Sequence, residues 1–489
     1  MKDGPNQHPK LRALFAATLA TAVLGLAACG GDDEATADAA STTSDSASIS
    51  STTSETTAAP STIPQPSQAM LAAASLDELP VADESKRLDI TAPVFSNPTE
   101  ISNPLFPISE LESVVFSGKV DGKDFHTETT LLPQTRIIEW SPGQQVEALV
   151  SQYAAFEDGR IEEVALDYYA QADDGAVWYL GEDVFDYDPD GLVDSTEGTW
   201  LAGKEGPPEM IMPADPQVGD VHRPENIPGI AFEEVEIKAI DETLDGPAGP
   251  VEGGMVAREL HDDGTYSDKI FAPGYGEFFS GHGTEVEAMA LAIPIDAIDG
   301  PAPAQLESLS AGAHDLLDAI EAGDWKSAAE LEQAVSRTWQ DYPGDQVPPR
   351  IGTEMERALS ALDAAISSRD ETAAATAAID VAQSALDLEL RYGTPAEIDL
   401  ARFELWAAQV VTDATAGDVG GVRSSVSTME WTRDRFAETI DPADLVAIDT
   451  HMTVLRDTVA FGNEDLKTAA AEGRQLQQAL ALKPVPAGD

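Results

Sequence analysis

Residues 163–184, EVALDYYAQADDGAVWYLGEDV, decide how this chain is read. Val164, Leu166 and Tyr168 alternate with Glu163, Asp167 and Tyr169, the period of two that sends successive side chains to opposite faces of a strand. The turn residues Asp173-Asp174-Gly175 follow, and a second apolar run, AVWYLG, begins after them. Two such runs around a turn read as an antiparallel hairpin. Further turn signals at Asp121-Gly122, Glu157-Asp158-Gly159 and Asp263-Gly264 separate more strand-like runs, so residues 88–295 are expected to form an all-β sandwich or barrel.

Beyond this region the period changes. IDAIDGPAP (295–303) carries Gly300, Pro301 and Pro303 between a strand pattern and a helix pattern, so residues 296–303 read as a linker between two domains. Ala, Leu, Glu and Asp then dominate residues 304–482. Thr394-Pro395-Ala396-Glu397 and Asp441-Pro442-Ala443-Asp444 each place a capping residue before Pro at the first helical position. Breaks at Gly323-Asp324, Arg369-Asp370, Gly417-Asp418 and Asn463-Glu464 complete a pattern of four helical hairpins. Their period of about 47 residues suits a repeat array, and their helix lengths suit a bundle equally well. The expected fold is therefore a multidomain α and β chain, all-β first and all-α second, with residues 483–489 as a tail.

The N-terminus carries a different signal. Lys2, Lys10 and Arg12 precede an apolar run from Ala13 to Leu26, the basic and apolar regions of a secretory signal over residues 1–28, too short to span a bilayer comfortably. The run ends in Leu26-Ala27-Ala28-Cys29, which resembles the lipobox of bacterial lipoproteins. Cys29 is the single cysteine of the chain and has no internal partner for a disulfide. The resemblance implies a diacylglyceryl thioether on Cys29, with acylation of the new N-terminus, and two or more chains anchor stably. Residues 29–87 are poor in aromatics and rich in Ser, Thr and Ala, so they are expected to be a disordered tether. About 40 such residues span about 35 Å, which would stand the folded part off the membrane.

Composition narrows the partners. Lys plus Arg number 28 and Asp plus Glu 88, for a formal net charge of −60 in 489 residues. Such a chain repels nucleic acid and anionic lipid surfaces and attracts cations. The strings NPLFPI (103–108), LDYYAQADDGAVWYLGEDV (166–184), STEGTW (195–200), IMPADPQVGD (211–220) and FAPGYGEF (271–278) resemble a domain of secreted bacterial proteins with no assigned activity. Members share DWYAQD-x-x-GNVWYLGE and MPA-x-P-x-VGD strings. They commonly continue NPLFPI with Pro-Gly, where this chain has Ser109-Glu110. The resemblance implies a fold and a secreted location, and it supplies no catalytic residue.

One stretch fits a metal motif. DYDPDGLVDSTE (186–197) matches the calcium-loop pattern, with Asp186, Asp188, Asp190, Leu192 through its carbonyl, Asp194 and Glu197 as ligand positions and Gly191 at the sharp turn. Its flanks are strand-like, however, and Pro189 biases Asp188 away from helical backbone. Asp188-Pro189-Asp190-Gly191 equally suits a plain hairpin turn with solvated acids. Among the helices, His314 and His451 lack a Glu three residues before them, which excludes the di-iron pattern. His451, Met452, Met355 and Met429 are soft-ligand candidates for a transition metal, weighed against ordinary core methionines. His261-Asp262-Asp263 and His282 lie near turns, and Tyr169 and Tyr179 are weighed as sugar-stacking rings against cross-strand packing. No nucleophile elbow, zinc-protease pair, phosphate loop or dinucleotide fingerprint is present. The sequence thus points to a non-enzymatic, membrane-anchored extracytoplasmic lipoprotein that binds a protein or small molecule, without a resident cofactor. A metal-handling envelope protein, for calcium or a transition metal, is the alternative.

Overall fold

The computed structural model describes residues 61–481. The expected signal segment 1–28, Cys29, the first part of the tether and the tail 483–489 lie outside the described residues. The remainder of the expected tether is packed. From residue 61 onward the chain lies on the sheet: Ile63 is buried, its N–H donates to the Ile90 carbonyl at 2.8 Å, and Leu76 is buried after the short helix α1 (Gln68–Ala73). Isolated apolar residues such as Ile63 and Leu76 make no periodic pattern of their own, and the neighbouring sheet supplies the surface that orders them.

The β half is one antiparallel sheet. Its first strands are β1 (Ser113–Val120), β2 (Lys123–Ser141), β3 (Gln144–Glu157), β4 (Arg160–Gln171) and β5 (Val177–Tyr187). Short pieces follow: β6 (Val193–Ser195), β7 (Trp200–Leu201) and β8 (Glu209–Met212). The return run is β9 (Val221–Ile227), β10 (Ala231–Gly246), β11 (Gly249–His261), β12 (Tyr266–Ala272), β13 (Gly276–His282) and β14 (Glu285–Ile293). The strand order is β6-β5-β4-β3-β2-β1-β14-β13-β12-β11-β10-β9, with β7 and β8 added on β5. Tight turns set the register; Asp121 and Gly122 both have positive φ, 51° and 79°, as a type I′ hairpin requires. Trp178 and Leu180 of β5 share a core with Ile237 of β10 and Met255 of β11. These strands lie far apart in the sheet order, so the sheet curls back onto itself around an interior.

Among the described residues eight α-helices follow: α2 (Ala304–Glu321), α3 (Trp325–Gln340), α4 (Pro349–Ser368), α5 (Glu371–Glu389), α6 (Pro395–Ala416), α7 (Val419–Phe436), α8 (Pro442–Val459) and α9 (Leu466–Ala481). The sequence signals fall at their ends. Asp324, Asp370, Asp418 and Asp441 cap helices through their side chains, and Thr394 and Glu397 form a reciprocal capping box. Arg369 adopts φ 57°, a left-handed stop between α4 and α5. In the first four helices α2 packs on α5, and in the second four α6 packs on α9, so the half is two four-helix bundles in tandem.

The halves share a core on either side of the stretch expected to be a linker. Val115 of β1 and Ala290, Leu291 and Ile293 of β14 belong to the same apolar cluster as the first bundle. Within the expected linker, buried Asp296 accepts from the Tyr275 hydroxyl at 2.8 Å, and its carbonyl accepts from Arg391 Nε at 3.1 Å. A Gly/Pro break marks where one backbone pattern stops, and it carries no information about what the flanking faces touch.

Candidate functional site

Where the helices cover the sheet they leave a cleft of about 450 Å³. One wall is the outward face of β2 and β3. Alternation along β2 turns His126 and Glu128 outward into the cleft, while Thr127 and Thr129 line the interior of the sheet. Helices α4 to α7 form the other wall, contributing Glu354, Asp380, Asp387, Trp406 and Asp413. Phe156 of β3 stacks on Trp406 with ring centroids 5.5 Å apart.

Buried arginines lock the floor of the cleft. Arg402 Nη1 lies 3.4 Å from Glu128 Oε1, and its Nη2 lies 2.5 Å from Asp387 Oδ1. Arg435 donates to Glu128 and, through Nε, to Gln152 Oε1 at 2.6 Å. Burial alone would raise the Glu128 carboxyl, but the Arg402 and Arg435 guanidiniums outweigh it and hold it well below the usual range. His126 is the converse. Burial would lower it, yet a hydrogen bond to Glu128 and the charges of Asp387 and Glu354 carry it up to about 9. His126, Glu354 and Asp387 come from β2, α4 and α5, and their potential ligand atoms lie within 4.8 Å of one another.

Inside the curled sheet the chemistry differs. Asp167, Glu277 and Glu287 line a cavity of about 80 Å³ walled by Phe106, Phe116 and Tyr169. Burial raises Asp167 to about 7 against the pull of the Tyr179 hydroxyl, 2.6 Å away. Burial likewise raises Glu277 to about 7 against Lys269. Glu182 is fully buried, and burial together with Glu225 and Asp167 pushes it well above the ordinary carboxyl range. At the adjoining cavity Glu233 is raised by burial and by Glu259, while Lys269 and His261 outweigh burial at Glu259 and lower it.

The calcium-loop residues form a turn between two strands. Asp186 sits in β5 paired with Ser195 of β6, and the turn between them is a hairpin. Asp188 Oδ1 accepts from the N–H groups of Asp190 and Leu192, both at 2.9 Å, and the Leu192 carbonyl accepts from Asp188 N–H at 2.8 Å. Among the described residues, neither grouping of three metal-ligating side chains includes Asp190, Asp194, Glu197 or any other residue of this stretch. The turn docks on α7. Gly191 has φ 71°, and a Cβ there would fall 2.4 Å from the Ser424 nitrogen, while one on Gly420 would fall 3.0 Å from the Pro189 carbonyl. Arg160 bridges the two, donating to that carbonyl at 3.2 Å and to Asp418.

The other sequence candidates separate. His451 pairs with Glu472 at 2.7 Å, whereas Met452 and Met429 are core of the second bundle and Met355 of the first. They do not share one site. His314 bonds its own helix at the Ser310 carbonyl, and His282 bonds the Tyr266 carbonyl. Tyr169 and Tyr179 are buried and stacked at 4.9 Å, which suits cross-strand packing. His261 does reach Glu233 and Glu259, at 3.8 and 3.9 Å. The sequence reading missed His126, Glu354 and Asp387, for only the folded chain brings them together. No protein-family model, curated protein or solved structure matches the chain.

Proposed function

We propose that the protein is a lipid-anchored, extracytoplasmic binding protein, held at a membrane through Cys29, that takes a cationic ligand in the cleft between its sheet and its helices. One observation carries this reading: a cleft of about 450 Å³ whose lining includes eight carboxylates and two arginines. Low-dielectric walls of one dominant sign concentrate ions of the other sign. The arginine clamp on Glu128 holds both walls in place, so the cleft is built before the ligand arrives, which lowers the ordering cost of binding. Binding is the activity that this arrangement favours.

Metal handling is the second reading, favoured by His126, Glu354 and Asp387. Imidazole and carboxylate donors suit zinc and similar divalent ions. The ion would displace the proton that His126 carries at neutral pH, so affinity should climb as pH rises towards 9. Calorimetric titration with zinc, and with an organic dication of the putrescine class, decides between the readings. The cleft reading expects heat with one of the two, lost in Glu354→Gln; no heat with either removes it. Detergent-phase partitioning of Cys29→Ser tests the anchor separately, and a variant that still partitions with lipid refutes it.

A further inference from the structure

The interior of the curled sheet holds more buried acid than it can balance. Asp167, Glu277 and Glu287 line the cavity of about 80 Å³, and Glu225, Glu233 and Glu259 line its neighbour. Among the described residues, Lys269 is the one lysine or arginine lining either cavity. It is already engaged, at 3.7 Å from Glu259 and 3.2 Å from Glu277. Glu277 lines both cavities with its side chain only 10% exposed. Its Oε1 accepts from Lys269, and its Oε2 is buried with no hydrogen-bond partner among the described residues. A buried carboxylate oxygen left in this way costs free energy that a cation would return.

The shape of the cavity selects the kind of cation. Asp167, Glu277 and Glu287 do not converge to the spacing of three metal ligands. Aromatic and aliphatic walls from Phe106, Phe116, Tyr169 and Leu131 surround them. Such walls suit an ion with an apolar body, and the faces of aromatic rings attract a cation directly. The volume suits roughly five to eight non-hydrogen atoms, since one water occupies about 10–15 Å³ on the same measure. We propose that the interior of the curled sheet binds a small organic ammonium ion, its charge among Asp167, Glu277 and Glu287 and its apolar part against Phe106, Phe116 and Tyr169. This site is separate from the cleft and does not depend on the cleft's ligand.

The test uses the full chain and n-butylammonium, with 1-butanol as a neutral probe of like size and potassium as a plain cation. Butylammonium at millimolar concentration should raise the melting temperature by several degrees at pH 7.5, with 1-butanol and potassium giving no comparable rise. Binding favours ionised carboxylates, so calorimetry in buffers of different ionisation enthalpy should show protons released to the buffer. Glu277→Gln and Glu287→Gln keep the shape and remove charge; both should fold and lose at least tenfold in butylammonium affinity. Glu354→Gln, in the cleft, should leave that affinity unchanged. An equal response to 1-butanol, no response to butylammonium, or an undiminished response in both glutamine variants would each overturn the proposal, the last by placing the ion elsewhere.

Discussion

The cleft and the sheet interior are both acidic, and they manage their acids in opposite ways. In the cleft Glu128 is ionised because Arg402 and Arg435, both 1% exposed at the side chain, lie against it. In the interior Lys269 serves a whole group of carboxyls, and burial keeps Asp167, Glu182 and Glu277 protonated to unusually high pH. Buried acids therefore hold the halves together where a base comes from the opposite half, and burden the fold where none does. The comparison explains why Glu128 belongs to the architecture and Glu182 does not.

Removing the cleft's counter-charge should break the contrast most severely. Arg402→Ala leaves Glu128, Asp387 and Asp399 short of a buried partner, and loss of one member of such a network costs about 3–5 kcal/mol. Urea denaturation should show that loss, and a change under about 1 kcal/mol would mean that the network is not closed in solution. The docked hairpin gives the next largest effect. Gly191→Ala forces a left-handed alanine against Ser424 and should cost about 2 kcal/mol by the same measurement, whereas Gly159→Ala, with open space around it, should cost less.

Titration should separate the two regions by pH window. Asp167, Glu225 and Glu277, at about 7 when folded, ionise at lower pH in the unfolded chain, so their contribution falls as pH rises from about 4 towards 7. His126, raised to about 9, contributes fully below its unfolded value of 6.5 and is lost as pH rises through 9. Melting temperature should hence decline in two arms between pH 5.5 and 9.5, with His126→Gln removing the upper arm alone. Glu182→Gln should be stabilising at pH 8 and less so at pH 5, because it removes a carboxyl that burial, Glu225 and Asp167 hold protonated. A destabilised Glu182→Gln at pH 8 would show that this carboxyl has an ionic partner. Smallest of all is calcium. Millimolar calcium should shift the melting temperature no more than magnesium does, and Asp186→Ala and Glu197→Ala should leave that shift unchanged.

Local signals carried far. The hairpin at Asp173-Asp174-Gly175 and the caps at Asp324, Asp370, Thr394, Asp418 and Asp441 could be read directly, because capping and turn chemistry act over three or four residues. The alternation in β4 was equally plain, but its meaning was not. Val164 packs in a cluster bordered by Trp406 and Trp431 of the helices, while Asp167 lines the interior cavity. The usual rule of apolar inside and polar outside is inverted, since the helical half covers the outer face and makes it a second core.

Sequence by itself determined the order of the two halves, the hairpin turns and helix caps, and the acidic excess that favours cations, all properties of neighbouring residues or of simple composition. Tertiary structure alone decided that the sheet curls around an interior, that Val115 and Leu291 share a core with the first bundle, and that DYDPDGLVDSTE is a docking turn on α7. It also decided the site: His126 meets Glu354 and Asp387 only because the first bundle closes over β2. Which face of a strand is inner, and which acid finds a base, depends on surfaces hundreds of residues away in the chain, and no local pattern encodes that distance.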